Sequence, residues 1–183
     1  MKRGTNPCIL ALLLVSGCAG TCSETPKAAP PAVTADGYKT AAKGDMRIEW
    51  KIDGANLRVR LSARTKGWVG VGFDPSTAMK DANFIIGYVK DGQAFIRDDF
   101  GAGMFSHKAD TDLGGKDNVT EKSGTEKDGV TSLAFTIPLD SGDATDRPLA
   151  AGKSAKVLLA CGNDDADDFT TKHHDGGSVV ITL

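Results

Sequence analysis

Residues 46–63 read MRIEWKIDGANLRVRLSA, and two facing alternations decide what this chain becomes. Met46, Ile48, Trp50 and Ile52 fall at every second position, then Leu57, Val59, Leu61 and Ala63 do the same. Period-two apolarity puts one face of a strand into a core and leaves the other to water. Between the two runs stands Asp53-Gly54, a strong hairpin signal. The figure recurs outward along the chain: NFIIGYV (83–89), Asp91-Gly92 and QAFIRD (93–98), then NVTEK (118–122) and VTSLAFTI (130–137) around Asp128-Gly129. AKVLLAC (155–161) and SVVITL (178–183) read as further strands, and no helical periodicity of useful length appears. The fold class predicted is all-β: an immunoglobulin-like antiparallel β-sandwich of about nine or more strands.

Two connections are too long for hairpins. One is FGAGMFSHKADTDLGGK (100–116), the other GNDDADDFTTKHHDGG (162–177). Long loops at the ends of a rigid sandwich commonly carry function. The three histidines, His107, His173 and His174, all fall in them. A third connection, GFDPSTAMKDANFIIGYV (72–89), places Met79 in a short polar loop between two strands.

The N-terminus has a different character. Lys2 and Arg3 precede CILALLLVS, an apolar run of secretory-signal length and too short to span a bilayer. LVSGC resembles a bacterial lipobox, which implies cleavage before Cys18 and a lipid on that thiol. Residues 19–44 are rich in Ala, Pro, Thr and Lys and read as a tether. The expected organisation is therefore a signal peptide (1–17), a lipidated Cys and flexible tether (18–44), and a β-sandwich domain (45–183). Cys22 and Cys161 are the thiols left over for pairing. A net charge of −2 and 6% aromatic residues give no basic stripe or stacking platform, so nucleic acid is not an expected partner.

A thioether and an imidazole meeting across a pocket are ligands for a metal or a haem iron. On spacing alone the signal is weak. A lone Met commonly fills a core gap, and paired loop histidines are commonly solvated. Met104 and His107, in MFSH, are ligands copper accepts. Asp110, Asp112, Gly115, Asn118 and Glu121 match EF-hand spacing, but Gly114 stands at a usual ligand position and no helices flank the loop. A looser calcium site there, or at NDDADD (163–168), stays open. No nucleophile elbow or phosphate loop is present, so the chain reads as an electron carrier or binding module rather than an enzyme.

The order of signals resembles the DOMON domain. Carrying residues are GWVGVGFDPSTAMKDANFIIGYV (67–89) with Trp68, Gly70, Gly72, Phe73 and Met79, then DGQAFIRDD, then LAFTIPLDSGDATDRPLAAGKSAKVLLACG, then HHDGGSVVITL. The resemblance covers about residues 45–183. It departs at Ala82-Asn83, where the family commonly has Ala-Asp, and at the doubled histidine. The resemblance implies a β-sandwich that binds haem b or, in other members, sugar-like ligands. In haem-binding members a Met of this loop and a His before the last strand are the axial ligands, which here means Met79 and either His173 or His174. Strand alternation back from Ile181 and Val179 favours His173. Such a pair fills both axial positions of the iron and suits electron transfer. Trp68, Phe73, Phe84, Ile86 and Tyr88 are candidate walls. The function expected is a membrane-tethered, extracytoplasmic haem b electron-transfer domain on the periplasmic face of an outer membrane or on the cell surface, with a redox partner the sequence does not name. The alternative is a non-haem ligand-binding or adhesion module of the same fold.

Overall fold

Alternation along the strands decides which side chains the two sheets share. The computed structural model describes Met1 and residues 32–183. Among the described residues, twelve strands form two six-stranded antiparallel sheets. Sheet A runs β1 (Ala32–Val33), β2 (Lys39–Lys43), β3 (Met46–Asp53), β4 (Asn56–Ala63), β10 (Val130–Pro138), β9 (Thr120–Lys127). Sheet B runs β12 (Asp175–Thr182), β11 (Ser154–Cys161), β5 (Val69–Phe73), β6 (Asn83–Lys90), β7 (Gln93–Gly103), β8 (Ser106–Ala109). The β-sandwich expected from the alternations is what the chain forms.

Met46, Ile48 and Trp50 of β3, Leu57, Val59 and Leu61 of β4, and Leu133, Phe135 and Ile137 of β10 turn inward from sheet A. Val69, Val71, Phe73, Ile85, Val157, Leu159 and Ile181 meet them from sheet B. Each large apolar chain so buried contributes roughly 1.5–3 kcal/mol. Cys161 lies inside this core with no disulfide partner among the described residues, and Cys22, its suggested partner, lies outside them.

The three Asp-Gly signals make hairpins of two kinds. Lys90 pairs Gln93 around Asp91 (φ +51°) and Gly92 (φ +75°), and Lys127 pairs Val130 around Asp128 (φ +54°) and Gly129 (φ +73°). Both central residues are left-handed, as a type I′ turn requires. At the first hairpin Asp53 instead pairs Asn56, and Gly54 (φ +59°) leads the turn in the manner of type II′.

The sheet begins earlier than the expected boundary at residue 45. Residues 32–43, read as tether, include β1 and β2, and β2 pairs with β3 from Lys39↔Trp50 to Lys43↔Met46. Thr40, Ala41 and Ala42 lie in a strand one in from the sheet's edge, with too little apolar contrast to announce itself. The signal peptide, Cys18 and the rest of the tether lie outside the described residues. Among the described residues, no helix is long and apolar enough to cross a membrane.

The sandwich has two open sides. On one, β2 meets β12, and Lys39 Nζ (3.0 Å) and Trp50 Nε1 (3.3 Å) both donate to the Thr182 carbonyl. On the other, β7 lies against β9.

Candidate functional site on the outer face of sheet B

β5 is buried on both faces, which a simple sandwich strand is not. Its outer cover comes from the second long loop. The Trp68 amide donates to the Ala166 carbonyl (3.0 Å) and the Gly162 amide to the Trp68 carbonyl (2.8 Å), which folds residues 162–174 back over the sheet. A second apolar cluster results outside the main core. Trp68, Ile86 and Ala166 are buried in it, with Tyr88, Ala160 and Phe169 packed against them. Phe169 meets the Tyr88 ring at 5.1 Å between centroids, and the Arg97 guanidinium lies 4.3 Å from the Phe169 centroid. The Phe84 ring lies over Gly72, where a Cβ would stand 2.3 Å from it.

The acidic run in this loop is structural. Asp164 accepts the Lys66 amide (2.9 Å). Asp168 accepts the Thr171 hydroxyl and the amides of Thr170 and Thr171. Those hydrogen bonds, the Thr171 hydroxyl foremost, hold the Asp168 carboxyl down at about 2.

Met79 is half-buried at the Phe73 end of β5. Its loop is tied to β7 and the turn beyond it. The Met79 amide donates to the Met104 carbonyl (3.2 Å), Asp81 to Gly101 (2.8 Å) and Gly101 to Ala82 (2.9 Å). The approach is close enough that a Cβ on Gly101 would stand 1.9 Å from the Met79 carbonyl oxygen. Ala78 beside it has φ +52°, a left-handed backbone rare for alanine.

The two adjacent histidines have different neighbours. The His174 amide bonds the Cys161 carbonyl (2.7 Å), and Cys161 pairs with Val69, so both histidines stand at the opposite end of β5 from Met79. Five strand residues separate those levels by ~14 Å. Both histidines are exposed, and His173 Nδ1 lies 3.6 Å from where a Cβ would stand on Gly176, which pairs with Ala160 of the outer cluster. His174 instead lines a surface depression with Arg64, Thr65, Gly129, Gly162, Asn163 and Asp164.

The first long connection is more ordered than its sequence suggests. β7 runs on to Gly103, and β8 returns antiparallel beside it. Met104 is exposed in the turn between them. His107 lies on the outer face beside Phe84 and bonds Asp99 through Nδ1 at 2.5 Å. Arg97 also holds Asp99, with Nε and Nη2 at 2.5 and 2.7 Å. Burial acts to raise the Asp99 carboxyl, but the bonds from His107 and Arg97 outweigh it and hold it low.

The EF-hand spacing is not realised. Residues 110–113 form a short 3-10 turn, Asp112 is exposed, and Glu121 accepts the Thr136 hydroxyl (2.7 Å) from strand β9. Asp110 turns inward instead, and joins Asp98 and Asp146. The residues missed by sequence reading, Asp98, Asp99, Asp146 and Phe169, are mostly aspartates in runs that look solvated. The available signal was the doublet Asp98-Asp99, since adjacent strand residues face opposite ways and one of the two must point inward.

Residues 42–162, from within β2 to just past β11, match the model of the DOMON domain. Over 142 residues the chain is 28% identical to DBH-like monooxygenase protein 1 of Homo sapiens, a match covering 78% of this chain and 22% of that protein. The chain thus spans about a fifth of the length of the curated relatives it matches. Among solved structures it resembles the cytochrome b domain of pyranose dehydrogenase from Coprinopsis cinerea, with a TM-score of 0.57 at 13% identity, covering 79% of this chain and 80% of that one. It also resembles the cytochrome domain of Myriococcum thermophilum cellobiose dehydrogenase, with a TM-score of 0.57 at 12% identity, covering 80% and 82%. At those identities the likeness is one of fold. The family is carried by residues 42–162, and on them the chain belongs to the DOMON domain family.

Proposed function

We propose that the outer face of sheet B binds haem b, with Met79 and His173 as axial ligands, and that the domain is an electron-transfer module. The observation that carries the choice of histidine is that His173 Nδ1 lies 3.6 Å from where a Gly176 Cβ would stand, at the strand position that pairs with Ala160 of the outer cluster, while His174 lines a separate depression. The residues of this face fit such a group. Trp68, Ile86, Tyr88 and Phe169 offer apolar wall. The buried Trp68 Nε1 has no hydrogen-bond partner among the described residues, and Arg97 brings a cation to the same face, so donors for acidic substituents are at hand. When bound, the haem would supply a one-electron couple. The chain's part is to hold the Met79 loop against Gly101 and to keep water from the face.

Two solved cytochrome domains share the fold, which supports this reading. The envelope context belongs to the same proposal. Cys18 carries a lipid, residues up to 31 link it to the sandwich, and a separate redox protein exchanges electrons with it. A second reading, a non-haem ligand module, is favoured by one observation. Phe169 and Phe84 already lie across the outer face, and the Met79 loop and His173 stand at opposite ends of β5.

An absorption spectrum separates the two. Protein produced with haem supply should show sharp low-spin bands on dithionite reduction. These should be lost in Met79→Ala and His173→Ala and kept in His174→Ala. A colourless protein that also refuses added haemin would rule out the haem reading.

A further inference from the structure

The side of the sandwich where β7 meets β9 holds an arrangement that neither the outer face nor the core explains. Asp98 belongs to β7, Asp110 opens the 3-10 turn, and Asp146 lies in the connection between β10 and β11. One ligand atom from each lies within 4.8 Å of the others. Asp98 is 2% exposed and Asp110 is 0% exposed. Part of their bonding is satisfied. Asp98 Oδ2 accepts the Asn118 amide (2.8 Å), while Asp146 Oδ2 accepts Asn118 Nδ2 (2.9 Å) and the Ser141 hydroxyl. The other oxygens, Asp98 Oδ1, both of Asp110 and Asp146 Oδ1, are buried with no hydrogen-bond partner among the described residues. Among the described residues, no lysine, arginine or histidine forms an ion pair with any of the three.

Buried carboxylates are ordinarily paired, hydrogen-bonded or coordinated to a metal, because removing an anion from water is costly. Burial and the neighbouring carboxylates, opposed in part by the Asn118 amide at Asp98 and by Thr145 at Asp110, push Asp98 up to about 8 and Asp110 to about 7. The surrounding loops are drawn together as though around a centre. Gly115 sits so close to the 141–146 segment that a Cβ would stand 2.0 Å from Thr145 Oγ1, and the Lys116 amide donates to Asp143 (2.8 Å).

We infer that Asp98, Asp110 and Asp146 form a binding site for a calcium-class cation that clamps the β7 strand, the 3-10 turn and the β10–β11 connection together. The donors are all oxygen, which selects a hard cation over copper or zinc. They come from three separate segments, a strand, a 3-10 turn and a connection, and the two outside the strand give an adaptable shell that suits calcium better than the strict octahedron of magnesium. The site lies between the sheets rather than on the outer face, so it stands apart from the proposed haem site.

The test uses the full chain, stripped with EDTA and dialysed, then titrated with calcium chloride by calorimetry and followed by thermal unfolding. One binding event is expected. The midpoint should rise by about 5–10 °C at a hundredfold excess over the dissociation constant. Asp110→Asn and Asp146→Asn should each abolish both signals, and Asp112→Asn, on the exposed side of the same turn, should keep them. Either of the first two suffices if the other fails to fold. Absence of heat and of any midpoint shift in the unaltered chain with calcium, magnesium or manganese would overturn the inference. So would a response that survives both Asp110→Asn and Asp146→Asn.

Discussion

Gly101 decides where Met79 can be. Its missing side chain lets β7 run against the Met79 carbonyl, and the Gly101 and Asp81 amides stitch the two segments together. A methyl at 1.9 Å from a backbone oxygen cannot be absorbed by a rotamer change, so the loop itself must move. Gly101→Ala is therefore expected to cost about 1–3 kcal/mol in urea unfolding. If haem is bound, the same change should broaden the low-spin spectrum by displacing Met79. An unchanged unfolding midpoint would show that the loop adapts freely. The identity of Met79 as a candidate was readable from its setting, a thioether in a loop of Asp, Pro, Ser, Thr and Lys. The role of Gly101 was not, because it depends on a neighbour some twenty positions away that only the fold supplies.

Among the elements, the segment between β11 and β12 shows how polar residues can build a cover. Its acidic run suggests a solvated loop, yet Asp164 and Asp168 spend their oxygens on backbone amides and hydroxyls, and Ala166 and Phe169 are then laid across sheet B. Because the Asp168 carboxyl is held at about 2, below its unfolded value near 3.9, its contribution is present above the unfolded value and is lost as pH falls through 4 towards 2. Between those limits the loop should loosen before the sheets do, seen as a change in Trp68 fluorescence ahead of the loss of far-UV signal. Asp168→Ala should remove that early step and leave the loop loose at neutral pH. A single transition at the same pH in both proteins would refute this. Legibility varied among elements for a similar reason. β3, β4, β6, β10 and β11 announce themselves through apolar alternation. β2, one in from the edge, and the polar edge strand β9 have little apolar contrast, and the far half of β7 is disguised by Asp98, Asp99 and two glycines.

For the molecule as a whole, two six-stranded layers follow from the alternations, while their closure does not. The sequence reading counts strands and predicts a sandwich. It contains nothing to say that β2 would turn to β12, or that β7 would meet β9 over three aspartates. Those are contacts between positions far apart in the chain, made by Lys39, Trp50, Asp98 and Asp146, residues whose local pattern is silent on partners. The seam on the β2 side also sets how the protein should answer to mechanical load. The earliest described strands and the last strand come together there: β1 and β2 form the outermost ribbon of sheet A, β2 meets β12, and the Thr182 carbonyl accepts from Lys39 and Trp50. Pulled between residues 32 and 183, the chain should first shed residues 32–43, which hold two register pairs to each other and five to β3, and only later break the paired core. In a force–extension trace that is a release of about 4 nm before the main rupture. One rupture with no early step would mean that the ribbon and the core fail together. With the early step, the sandwich would keep both its outer face and its acidic clamp intact while its leading edge yields.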